Sequence, residues 1–184
     1  MTGKVEKKKQ GMEAYLESFK RFENGAGGPE WLRPVRRAAI ARSSELGFPT
    51  VRDEDWKFTN LAPLAKRTFS AGVRGAEIAL DDLAPFVFRG QESARLVFVN
   101  GRYRAELSDP CAQPGGVVAC SLAQSMELQP RLVELHLAKY LDYENDFFGA
   151  LNTAFVEDGG FVYVPDGAAV ERPIHLIYAS TATS

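Results

Sequence analysis

The sequence predicts an α+β chain, in which a mostly helical N-terminal domain with one short β-hairpin is followed by the first strands of a truncated parallel β-helix. Three observations predict this class. Apolar residues recur at three- and four-residue spacing from Met12 to Phe22, and a second apolar-sided run extends from Trp31 to Leu46. An Asn-Gly pair joins two extended runs in the middle of the chain. Beyond Asp158-Gly159-Gly160 the helical period gives way to short β-type runs separated by turns.

Taken in order, residues 1–10 carry Lys4, Lys7, Lys8 and Lys9 with no apolar stretch behind them. A signal peptide needs that stretch, so a flexible, solvated basic arm is expected. Met12, Tyr15, Leu16, Phe19 and Phe22 make residues 11–23 an amphipathic helix, which the glycine-rich exit at residues 24–28 stops. A second helix is expected from Pro29, with Trp31, Leu32, Val35, Ala39 and Leu46 on its apolar side. Arg33, Arg36, Arg37 and Arg42 fall mostly on the opposite side, and Gly47 with Pro49 ends the helix.

Residues 50–60 are acidic, then aromatic, then polar. Asn60 can cap a short helix running to Lys66, with Pro63 in its first turn. Residues 81–84 suggest one more helical turn. Residues 96–99, the pair Asn100-Gly101 and residues 102–107 read as a hairpin, because Asn and Gly both accept the positive φ of a type I′ turn. A turn at Pro114-Gly115-Gly116 leads to a strand at residues 117–120. Helix is expected from Ser121, interrupted at Pro130 and resumed over residues 131–145, with Leu132, Leu135, Tyr140 and Leu141 on its apolar face. Phe147, Phe148, Leu151 and Phe155 extend that pattern. Strands follow at residues 161–164 and 174–178, a spacing that fits coils of a β-helix or the edge of a sandwich. The expected organisation is an arm (1–10), a helical and mixed domain (11–158) and the start of a β-helix (159–184). An apolar strand so close to Ser184 leaves an open edge, so the chain is expected to be cut short within its second domain.

Composition narrows the function. With 22 Lys plus Arg against 24 Asp plus Glu among 184 residues, the chain lacks the basic excess that nucleic-acid binding draws on. No apolar run is long enough to span a bilayer. Two cysteines without a CxxC fit a reducing, cytoplasmic setting better than a disulfide framework.

An iron–sulfur cluster takes about four thiolate or imidazole ligands. Cys111, Cys120, His136 and His175 are the available soft ligands, and they come from a turn, a strand, a helix and a late strand with no supporting spacing. Cys111 is expected to be exposed and Cys120 to be a small buried hydrophobe. His175, alternating with Ile174 and Leu176, is expected to face a surface or partner. Asp53, Glu54 and Asp55 could mimic a catalytic carboxylate cluster, but three consecutive acids point in different directions and read as a solvated turn beside a buried Trp56. Lys57 can pair with one of them, while Trp56 and Phe58 are expected to pin the turn to the helices. The arginine strip is a solvated face or, more sharply, a docking surface for an acidic partner. No phosphate loop or nucleophile elbow is present. The expected site assignment is therefore catalytic none, cofactor none and metal none, in a chain that is not an enzyme.

Three stretches in register resemble the SufD family. They are GFPTVRDEDWKFTNLAPL at residues 47–64, LVFVNGRY at residues 96–103 followed by Ser121-Leu122, and LNTAFVEDGGFVYVPDGAAVERPIHLIY at residues 151–178. The last stretch is shared with the paralogue SufB, whereas the run from Asp53 to Asn60 favours SufD. The resemblance implies a non-catalytic subunit of the SUF scaffold for iron–sulfur cluster assembly. Its implied partners are a SufB-like subunit and the SufC-like ATPase, with the cluster formed at the SufB–SufD interface. The residues associated with the cluster and with SufC lie in the part of the family's length that this chain lacks, so none is transferred here. Two other readings compete with it. One is a stand-alone adaptor docking through Arg36 and Arg37. The other is an acyltransferase-type enzyme on a β-helix, which would need sustained short repeats.

Overall fold

The computed structural model describes residues 11–67, 77–87, 93–110 and 115–181; the expected basic arm, Cys111 and Pro114 lie outside them. The chain divides into two compact units, one formed by Met1–Ala71 with Arg131–Glu157 and the other by Gly72–Pro130 with Asp158–Ser184. Helices and small sheets together give the expected α+β class.

The first unit is helical. Helix α1 (Met12–Gly25) runs through Asn24 and Gly25 before the chain turns extended at Ala26, two residues beyond the expected stop. Helix α2 (Leu32–Leu46) starts later than expected, because residues 29–32 form a separate turn in which Leu32 N–H donates to the Pro29 carbonyl at 3.1 Å. Pro34 then occupies the first turn of α2, where a missing N–H leaves no helical bond unmade. Gly47 ends α2 with φ 64° and donates its N–H to the Ser43 carbonyl. A single 3₁₀ turn (Glu54–Trp56) and the short α3 (Ala62–Ala65) follow; Leu61, not the expected Asn60, holds the N-cap position, and the Asn60 side chain accepts from Ala62 N–H at 3.1 Å from one residue before it.

Helix α6 (Pro130–His136) is much shorter than the expected run to residue 145. Ala138 adopts φ 58°, a left-handed conformation that no α-helix continues through. The expected apolar face is also corrected. Val133 is the buried contact, whereas Leu135, Tyr140 and Leu141 are exposed. Helix α7 (Phe147–Ala154) restarts the pattern once Asp146 caps it, its carboxylate accepting from Gly149 N–H at 2.5 Å. Helices α2 and α7 form the main helix pair. Ala39, Ser43, Ala150 and Ala154 are all fully buried, and small side chains of this kind let two helix backbones approach closely. Aromatic rings close the ends of the seam: Phe155 lies 5.7 Å from Phe19 and 5.3 Å from Phe22, and Phe48 lies 4.5 Å from Phe147.

The second unit carries the sheets. A short helix α4 (Leu80–Leu83) and a 3₁₀ turn (Ala84–Phe86) precede strand β1 (Ala94–Val99). The turn at Asn100 (φ 50°) and Gly101 (φ 81°) has the type I′ signature, but β2 (Arg102–Tyr103) is only two residues long, because Ala105–Leu107 coil into a 3₁₀ turn. Strand β3 (Val118–Ser121) leads directly into α5 (Leu122–Leu128). Strand β4 (Gly160–Tyr163) pairs antiparallel with β3, and β5 (Ile174–Ala179) pairs parallel with β1, from Ala94 opposite Ile174 to Val99 opposite Ala179. The sheet order is β2-β1-β5. Leu96, Val97 and Phe98 are all fully buried, so β1 is covered on both faces, as its uninterrupted apolar run requires. The two late strands thus pair with earlier strands and not with each other.

Candidate functional site

Two polar side chains tie segments of backbone together, one in each unit. In the first unit, Arg36 breaks the expected pattern. It sits on α2 among Leu32, Ala39 and Ile40 and is only 4% exposed, although the sequence places it on the solvated face. Its Nε and Nη2 donate to the Val156 carbonyl at 2.9 and 2.6 Å, and Nη1 donates to the Gly27 carbonyl at 3.0 Å. The guanidinium also lies 5.2 Å from the centre of the Phe22 ring. A flat, multi-donor cation can satisfy two loop carbonyls and one ring at once, which no apolar residue at that position could do. Burial pushes the Arg36 guanidinium below its usual range, partly offset by Glu157 and Glu23.

The rest of the arginine strip is mostly committed within the chain. Arg37 Nε lies 2.6 Å from Glu23 Oε1, and that carboxylate holds the guanidinium above its ordinary range. Arg42 donates to Glu144 O at 2.5 Å and pairs with Glu45 at 2.8 Å. Arg33 and Arg37 nevertheless remain exposed on that strip.

In the second unit Asp158 is the hub. Its Oδ1 accepts from Ser121 Oγ at 2.7 Å, Ala123 N–H at 3.1 Å and Gly159 N–H at 2.8 Å, and its Oδ2 accepts from Tyr103 N–H at 3.0 Å. Ser121, itself buried, caps α5 by accepting from Gln124 N–H at 3.3 Å. One carboxylate thereby joins the hairpin, the start of α5 and its own turn. With both oxygens occupied by donors, it is equipped to hold backbone in place, not to move protons. Asn100 plays a similar part just past the C-terminal end of β1. Its N–H donates to the Ala179 carbonyl, and its side-chain amide exchanges hydrogen bonds with Thr181 at 2.7 and 3.0 Å. The Ser-x-x-Gln pattern at residues 121–124 signals the cap, but nothing local to Asp158 signals its partners.

The sequence-derived ligand candidates go to separate places. Cys120 is half-buried on β3, with Sγ 2.9 Å from Ser125 Oγ, so it is less enclosed than expected. His136 belongs to the first unit, where its ring stacks on Tyr140 and Nδ1 is hydrogen-bonded to the Tyr140 hydroxyl. His175 shares a strand face with the buried Ile177, opposite Arg95. Leu176 and Tyr178 are exposed on the other face of β5, and His175, half-buried, points away from them as its alternation predicts. Among the described residues no three His, Cys, Asp or Glu side chains gather as a metal-binding group. No helix of the described residues is long and apolar enough to cross a membrane.

At the acidic turn, Asp53 folds back on Thr50, accepting from its N–H at 2.7 Å and its hydroxyl at 3.0 Å, while Glu54 pairs with Lys57. Trp56 is only partly buried and packs 5.3 Å from Phe148, so it anchors the turn to α7. Phe58 does not anchor anything: it is 91% exposed, with Lys57 over its ring.

The family described as SufBD protein N-terminal region matches residues 6–176. An iron–sulfur cluster assembly SufBD family protein of Synechocystis is 31% identical over 145 residues, covering 78% of this chain and 31% of that protein. The iron–sulfur cluster assembly protein SufD of Bacillus subtilis is 27% identical over 175 residues, 88% of this chain and 38% of that protein. A SufBD family protein of Arabidopsis thaliana is 23% identical over 164 residues, 79% and 35% respectively. The chain spans about a third of the length of these relatives.

Proposed function

The chain belongs to the SufBD family, whose N-terminal region it matches, and from that premise we propose that it is a non-catalytic, SufD-like part of a cytoplasmic scaffold for iron–sulfur cluster assembly. The observation that carries the proposal is the match over residues 6–176, which takes in helices and strands of both units. The SufD assignment is supported by the acidic-aromatic run from Asp53 to Asn60 and by the similarity to SufD of Bacillus subtilis. A SufB-like and a SufC-like subunit are the proposed partners. The cluster is cargo of the intact assembly, built from delivered iron and sulfur, and this region contributes architecture to it.

The proposed β-helix starts from β4 and β5. Strand β5 lies at the edge of its sheet, already in parallel pairing with β1, and presents exposed Leu176 and Tyr178 on one face. A further parallel strand about 4.8 Å away would pair that edge, while a following coil would cover those side chains. Gly160 keeps the start of β4 close beneath them: its N–H donates to the Tyr178 hydroxyl at 3.3 Å, and a Cβ there would come within 3.0 Å of Leu176.

The test is co-expression of the intact protein that carries this region with the SufB-like and SufC-like proteins of the same genome. Elution of the three as one complex is expected in size-exclusion chromatography. Elution of the tagged protein alone, with the other two associated without it, would sink the reading.

A further inference from the structure

We draw no further inference here: the strongest candidate, the turn at residues 50–60 that leaves Phe58 and Val51 exposed on the first unit, carries none because nothing in the structure shows what covers it.

Discussion

The Asp158 carboxylate meets the buried Ser121 hydroxyl at 2.7 Å, and the pair joins the start of α5 to the turn before β4. Because the same carboxylate also takes three backbone N–H groups, Asp158→Ala strands several donors at once. Leaving part-buried donors unmet costs about 1–3 kcal/mol, so a loss of about 2–4 kcal/mol is expected for that variant, with Ser121→Ala costing about 1 kcal/mol as a lost cap. Urea unfolding of the two single variants and the double variant checks this. The double variant should lose less than the sum of the singles, since both remove one shared bond. A change within 0.5 kcal/mol for Asp158→Ala, taken as about the scatter of inert surface sites, contradicts the hub.

Arg36 and Arg37 are neighbours in sequence with opposite fates, and substitution should separate them. Arg36→Met leaves the carbonyls of Gly27 and Val156 without their donor, and a loss of about 2–4 kcal/mol is expected. Arg36→Lys keeps the charge but not the fork, and should fall between Arg36→Met and wild type. Arg37→Ala removes only a solvated pair with Glu23, and a much smaller loss than at Arg36 is expected. Thermal unfolding of the three variants decides the matter, and equal losses at both positions would refute the assignment. Charge reversal at Arg37 should also leave association with the SufB-like subunit unchanged.

These two positions show where sequence reasoning reaches and where it stops. Helices α1 and α2 and the Asn100-Gly101 turn are encoded by residues within a few positions of one another, so spacing and turn chemistry reveal them. Helical periodicity misplaces Arg36 because it sorts residues by polarity, and a guanidinium buried by two loop carbonyls is polar yet internal. Composition overextends helix α6 because nothing in it announces a left-handed Ala138. The pairing of β5 with β1 joins segments some eighty positions apart, and the partners of Asp158 lie at 103, 121 and 123. Contacts of that range are set by packing, and no local pattern carries them. At the site, the two polar hubs are not legible in the sequence for the same reason.

Glu106 supplies a pH dependence. Its own backbone N–H, and then Arg104 at 2.5 Å, hold the exposed carboxyl below the usual carboxylate range. A carboxylate with a depressed folded-state pKa adds stability above its unfolded pKa, and that contribution disappears as the pH falls through the folded value. The window therefore lies below about pH 4.3, the ordinary glutamate value. An NMR titration of the side-chain carboxyl should show the depressed midpoint, and Arg104→Met should restore it only in part because the backbone donor remains. Full restoration in that variant would assign the shift to Arg104 alone.

The last prediction concerns what the chain can hold by itself. A stable iron–sulfur cluster draws on about four thiolate or imidazole ligands set around one point. Here Cys120 lies on β3 against Ser125, His175 on β5 beside the register of Arg95, and His136 in the other unit against Tyr140. Among the described residues no three His, Cys, Asp or Glu side chains gather as a metal-binding group. Anaerobic reconstitution of the purified chain with iron and sulfide, followed by desalting, is therefore expected to leave no stoichiometric visible absorption band. Far-ultraviolet circular dichroism recorded on the same sample confirms that the fold is intact. A stoichiometric band that persists in wild type and vanishes in the Cys111→Ser, Cys120→Ser double variant would overturn the architectural reading and make this region a carrier of cluster in its own right.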